Sequence, residues 1–130
     1  MQALDNGKIT VFGGKQTRPN IHIDDITDVY LHLLEKQGAV TGVFNAGFEN
    51  ISILDIANMV TQFVPVEIQV TASNDPRSYR INSDKLLATG FKPKKTVKDA
   101  IQEIISAYKQ GSIKNEDHCY NLRWMKAKVM

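Results

Sequence analysis

The 130-residue chain has a single cysteine, Cys119, so no disulfide can form within it and no cysteine cluster can hold a metal. A lone thiol fits a reducing compartment. No apolar run approaches the ~20 residues that span a bilayer. The opening MQALDNGK lacks the apolar stretch of a signal peptide. These absences point to a cytoplasmic protein without a membrane partner. Charge of one sign is also scarce, with 16 basic residues against 14 acidic ones. Basic residues gather late, from Lys92 to Lys98 and from Lys114 to Lys128, but they make no dense stripe with stacking aromatics, which argues against nucleic acid.

Motifs for common chemistries are missing as well. There is no GxGxxG, no GxxGxxG and no P-loop. Gly13-Gly14 is a lone pair followed by Lys15, and it reads as a turn. No HExxH exists, and His22, His32 and His118 lie far apart, so no metal site is expected. His118-Cys119 are adjacent and do not point at each other as a nucleophile and base would. Neither Tyr30 nor Tyr79 has a lysine four residues on; Leu34 and Ser83 stand there. No catalytic residue is assigned.

What is present reads as one α/β fold. KITVF, 8–12, has the β-branched content of a strand, and PNIHI, 19–23, reads as a second with proline at its edge. Asp24 or Asp25 then caps a helix whose Ile26, Val29, Tyr30 and Leu33 share a face, closed by Gly38. With Asp28 these acids form the densest carboxylate group, read as helix capping. GVFNAG, 42–47, is a buried-strand candidate. Ser52 and Asp55 have capping-box spacing before an apolar stripe that Pro65 stops. VEIQV, 66–70, alternates as a strand does. Ser83 caps a short helix ending at Gly90. Thr96 and Asp99 repeat the capping-box spacing before Val97, Ile101, Ile104, Ile105 and Tyr108. The tail from Gly111 to Met130 is less regular.

The stretch NDPRSYRINSDK, 74–85, carries Arg77 and Arg80 around Tyr79, and Arg18 stands between the first two strands. A guanidinium fork suits phosphate oxygens, and arginines from two loops can clamp a diphosphate. The plainer reading is a salt bridge from Arg18 or Arg77 to Asp24, Asp75 or Asp84. Residue spacing leaves both readings open.

GKITVFGGKQTRPNIHIDDITDVYLHLLE resembles the late segment of the nucleotide-sugar epimerases and dehydratases, members of the extended short-chain dehydrogenase/reductases. GVFNAG with SILDIANMV is similar to a strand and helix of that family. NDPRSYRINSDKLLATGFKPKKTVKDAIQEI is similar to its substrate-domain ending, and EDHCYNLRWMK to the ending of some members. The resemblance implies a partial Rossmann-type element plus a small C-terminal substrate-binding domain. It divides the chain into a Rossmann-side segment over 1–47, a substrate-binding part over 48–110 and a tail over 111–130. It implies that Arg18 and Arg77 contact the diphosphate of a UDP-, dTDP-, CDP- or GDP-linked sugar, with Asp75 orienting Arg77 or reaching the nucleotide. Asn20 lines the same groove, and Arg80 joins the substrate group without a firm family role. Asp25 matches an acid of the family motif and is read as a structural cap. NAD or NADP belongs to the complete enzyme, whose glycine-rich turn and YxxxK this sequence lacks, so the chain alone is expected to bind no cofactor. The expected role is the nucleotide-sugar-binding portion of such an epimerase or dehydratase, inactive alone. The alternatives are a stand-alone interaction domain that self-associates and one half of a split epimerase that pairs with the missing Rossmann half.

Overall fold

The computed structural model describes residues 1–129, so Met130 of the expected tail lies outside the described residues. It is an α/β chain with two small sheets. Helix α1 (Gln2–Asn6) leads into β1 (Lys8–Phe12), β2 (Thr17–Asn20), α2 (Ile23–Glu35), β3 (Glu49–Ser52), α3 (Ile53–Thr61) and β4 (Glu67–Thr71). Helix α4 (Asp84–Leu87), α5 (Val97–Lys109), a 3₁₀ turn (Asp117–Cys119) and α6 (Asn121–Val129) follow. Strand β1 pairs with β4 in parallel, from Lys8↔Glu67 to Phe12↔Thr71. Strand β2 pairs antiparallel with β3, from Thr17↔Ser52 to Asn20↔Glu49. Each sheet therefore joins a strand from before residue 47 to one from after it.

Helix starts follow side-chain chemistry. Ser52 Oγ accepts the Asp55 N–H at 3.0 Å at the head of α3. At α5, Thr96 Oγ1 accepts the Asp99 N–H, and Asp99 Oδ2 accepts the Thr96 N–H at 2.8 Å, a full capping box. The α2 start differs from the expected one. The second strand ends at Asn20, and His22, expected within it, is the N-cap, with Nδ1 accepting the Asp24 N–H at 3.1 Å. Neither Asp24 nor Asp25 caps the helix. Asp25 is fully buried and accepts the backbone N–H groups of Lys94 and Lys95.

The segment GVFNAG forms no strand. A strand needs a ladder partner, and the backbone N–H groups of residues 43–46 make no hydrogen bond among the described residues. Ser83 Oγ holds Gly47 by both its N–H (3.1 Å) and its C=O (3.0 Å), and the third strand begins only at Glu49. Ser83 thus bonds across the fold rather than capping α4 through its side chain. The tail, expected to be irregular, forms the 3₁₀ turn and α6.

The core centres on Val29, Leu86 and Phe91, with Leu33, Phe44, Ala46 and Phe48 packed around them. It locks α2, the 44–48 segment, α4 and the turn before α5 together. A second apolar surface lies between α1, α3 and α5, lined by Ala3, Leu4, Val60, Ile101 and Ile105. Tyr30 and Ile104, expected on buried faces, are 67% and 46% exposed. Among the described residues, no helix is long and apolar enough to cross a membrane.

Candidate functional site

Strand β2 pairs with β3, and it also holds the loop before α4. Thr17 N donates to Ser78 Oγ at 3.0 Å, and Tyr79 N donates to Thr17 O at 3.3 Å. These bonds lay residues 75–79 along β2 and bring Arg18 beside Arg77, 59 positions away.

The two guanidiniums meet on one carboxylate. Arg77 grips Asp75 with a bidentate fork, Nε to Oδ1 at 2.7 Å and Nη2 to Oδ2 at 2.8 Å. Arg18 Nη2 reaches Asp75 Oδ2 at 3.3 Å, while its Nη1 donates to the carbonyls of Thr17 and Arg77. Asp75 Oδ1 also accepts the Arg77 N–H at 3.1 Å, and the Asp75 N–H donates to Ser73 Oγ at 3.1 Å. The guanidinium of Arg18 lies 5.2 Å from the centre of the Tyr79 ring, a cation–π contact. Side-chain exposure is 21% for Arg18 and 76% for Arg77, so Arg18 is the anchored member and Arg77 the open one.

Electrostatics follow from that geometry. The side-chain and backbone hydrogen bonds from Arg77 hold the Asp75 carboxyl far below the usual carboxylate range, and the charges of Arg77 and Arg18 add to the effect. Reciprocally, the Asp75 hydrogen bond raises Arg77. Two cations share one anion, which leaves a net positive site.

The other expected residues lie around this cluster. Asn20 does not face open space with its amide: Nδ2 donates to Arg18 O (2.8 Å) and Glu49 O (3.1 Å), bracing the β2–β3 ladder behind Arg18. Arg80 lies on a neighbouring cleft of about 470 Å³, with Phe48, Asn50, Asn82 and Pro93, and makes no ion pair among the described residues. Of the salt-bridge options open in the sequence, Asp75 is the partner. Asp24 lies 3.7 Å from Lys95 Nζ, and Asp84 takes a hydrogen bond from Asn82. Tyr79 and Ser78 are the site residues that sequence reasoning did not single out. Tyr79 was visible only as an aromatic between two arginines.

Two further arrangements bear on cofactors and metals. The resemblance seen in the sequence implies a dinucleotide in the complete enzyme, and Gly13-Gly14 is the one glycine pair of the sequence that could cradle its phosphates. It does not fit. Gly13 N donates to Thr71 O of β4 (2.8 Å) and Gly14 N to Phe12 O (3.0 Å), so both donors are spent, one on the neighbouring strand and one within the turn. No helix starts there, and a Cβ on Gly14 would meet Leu54 Cβ at 3.1 Å and Val11 Cγ1 at 3.2 Å, so close packing accounts for the glycine. His22, Asp24 and Glu103 bring metal-type ligand atoms together. Two of the three are already committed: His22 Nδ1 caps α2, its Nε2 faces Glu103 Oε2 at 3.1 Å, and the Lys95 ammonium binds Glu103.

No protein-family model matches the chain. Among solved structures, RMD from Pseudomonas aeruginosa complexed with NADPH matches 84% of this chain at 24% identity, with a TM-score of 0.67. UDP-glucuronic acid 4-epimerase from Bacillus cereus, in complex with UDP-glucuronic acid and NAD, matches 78% at 26% identity, with a TM-score of 0.62. Both are extended short-chain dehydrogenase/reductases, and their partial Rossmann-like fold accounts for the parallel strand pair and helices seen here. The chain covers 38% of the first and 35% of the second.

Proposed function

We propose that this chain, whose fold is that of the C-terminal part of an extended short-chain dehydrogenase/reductase of the epimerase/dehydratase kind, is the nucleotide-sugar-binding portion of such an enzyme. One observation carries the reading: Arg18 and Arg77, from separate segments, converge on a single bridging carboxylate. The same forks fit phosphate oxygens in bidentate fashion, so a pyrophosphate linkage suits the gap that Asp75 now bridges. UDP-, dTDP-, CDP- and GDP-sugars share that linkage. A bound UDP-sugar in one structural neighbour supports this class of ligand.

Arg18 is the fixed anchor, stacked on Tyr79, and Arg77 closes on the ligand from solvent. Asn20 keeps the strand under Arg18 rigid, and Arg80 reaches the sugar or base from the adjoining cleft. Residues 1–47 supply the Rossmann-side segment, residues 48–110 the substrate-binding part and residues 111–130 an appended tail. Hydride chemistry is the cofactor's. NADPH and NAD are bound by the two neighbours, whereas this sequence carries neither a glycine-rich turn nor YxxxK. The chain alone therefore binds a nucleotide sugar weakly in the cytoplasm and does not turn it over.

Isothermal titration with the four classes of nucleotide sugar tests the reading. The expected result is saturable binding of at least one, lost in Arg18→Ala and in Arg77→Ala. Equal affinity in wild type and both variants would remove the clamp.

A second reading is favoured by a different observation. The unpaired N–H groups of residues 43–46 lie in sequence after a helix with a second apolar face, where Ile23, Tyr30, Leu31 and Leu34 are exposed. Unpaired backbone donors beside an exposed apolar face invite pairing, as in self-association or in one half of a split enzyme. Light scattering after size exclusion, alone and with a Rossmann-type partner chain, tests it. A strict monomer under both conditions removes it.

A further inference from the structure

We propose that Asp75 is the specificity-determining residue of the Arg18–Arg77 site: its carboxylate holds the seat of a single anionic group, so that an anion with two linked phosphates displaces it and a lone anion does not. The inference rests on the reading of this site as a diphosphate clamp.

The inventory of donors carries the argument. Arg77 commits Nε and Nη2 to Asp75. Arg18 commits Nη2 to Asp75 and Nη1 to the carbonyls of Thr17 and Arg77. Among the described residues, Nε of Arg18 and Nη1 of Arg77 make no hydrogen bond. A lone phosphate or carboxylate presents one two-oxygen edge. It would exchange one bidentate contact for another of the same kind. It would also have to expel an anion that a backbone N–H helps to hold, from Arg77 at 3.1 Å. A diphosphate presents a second edge, and the unengaged donors on the two guanidiniums meet it. Those extra charge-assisted bonds offset the displacement of Asp75. The displaced carboxylate has somewhere to go, because the Asp75 side chain is 31% exposed.

The result is selectivity by competition. The site carries enough positive charge to attract many anions, and Asp75 screens out those that cannot bridge both arginines. This role differs from orienting the arginines, which would make removal of Asp75 weaken binding of every anion.

The experiment is isothermal titration of wild type, Asp75→Asn and Asp75→Ser with inorganic phosphate and with inorganic pyrophosphate. Circular dichroism melting accompanies each titration, and the serine variant removes the charge without adding an amide donor. Wild type is expected to prefer pyrophosphate. In both variants phosphate affinity rises about tenfold or more and pyrophosphate affinity moves about threefold or less, so the preference collapses. An unchanged preference overturns the proposal, and so does a loss of affinity for both anions. If wild type takes up a nucleotide sugar while the preference persists in the variants, the clamp stands and the screening role falls. If no nucleotide sugar binds while the preference collapses, the screening role stands and the nucleotide-sugar reading falls.

Discussion

The carboxylate of Asp25 accepts the backbone N–H of Lys94 through both oxygens, at 3.0 and 3.2 Å, across 69 positions of sequence. Oδ2 also accepts the Lys95 N–H at 3.1 Å. Asp25 has no exposed surface and joins the first turn of α2 to the turn that launches α5. Asp25→Ala would leave two part-buried donors without partners, each costing about 1–3 kcal/mol. Urea unfolding should show a total loss of about 2–6 kcal/mol. Asp25→Asn keeps one acceptor oxygen and places an NH₂ against a donor, so its loss should fall between wild type and the alanine variant. An alanine variant as stable as wild type would contradict this role.

Leu86 is the residue on which the core converges, with no exposure and with Val29 and Phe91 buried beside it. Leu86→Ala removes buried apolar contacts and opens a cavity, and is expected to cost about 2–5 kcal/mol. Its neighbour Leu87 is 38% exposed, and Leu87→Ala should cost under about 1 kcal/mol. The difference between these adjacent leucines in chemical denaturation measures how far α4 is held by one face. Similar losses in both would mean that the cluster around Leu86 does not dominate.

Stability should fall in acid and again in alkali. Hydrogen bonds from Arg77 lower Asp75 and hydrogen bonds from Thr96 lower Asp99, both from 3.8, while a hydrogen bond from Lys95 lowers Glu103 from 4.5. The unfolded chain takes up protons on these groups first as pH drops. Their contribution is complete above the ordinary carboxylate values and is lost as pH falls through the depressed ones. Hydrogen bonds to Asp28 and Glu103 raise Lys94 and Lys95 above 10.5, and a hydrogen bond to Asp5 raises Tyr108 above 10.0. Here the contribution is complete below the ordinary values and is lost as pH rises through the raised ones. Lys94 and Glu103 are exposed and the other four partly so, so added salt should shrink both effects. Urea midpoints against pH for wild type and Asp99→Ala check the acid limb. The gap between the two should narrow as pH drops below the ordinary aspartate value, and a constant gap would refute the assignment.

The site was legible in part. The arginines at 18 and 77 and the acid at 75 were visible as residue types suited to an anion, and Asp75 was one of three salt-bridge partners left open. That Asp75 joins both arginines, and that Tyr79 stacks on Arg18, depends on the hydrogen bonds of Thr17 to Ser78 and Tyr79. No local spacing encodes those contacts.

By itself the sequence determined the features that act over three or four residues. Ser52 with Asp55 and Thr96 with Asp99 set two helix starts, because a side-chain oxygen there reaches an N–H one turn on. β-branched alternation marked β1 and β4 in the same local way. Tertiary structure decided what needs a distant partner. His22 became the α2 cap because Asp25 was drawn away to Lys94 and Lys95. Among the described residues, the 43–46 segment found no ladder partner, while Ser83 tied down Gly47 next to it. Asp75 became the pivot of the anion site because β2 holds the loop that carries it. A backbone group or a charge takes whichever partner the fold brings within about 3 Å, and residue spacing along the chain does not specify that partner.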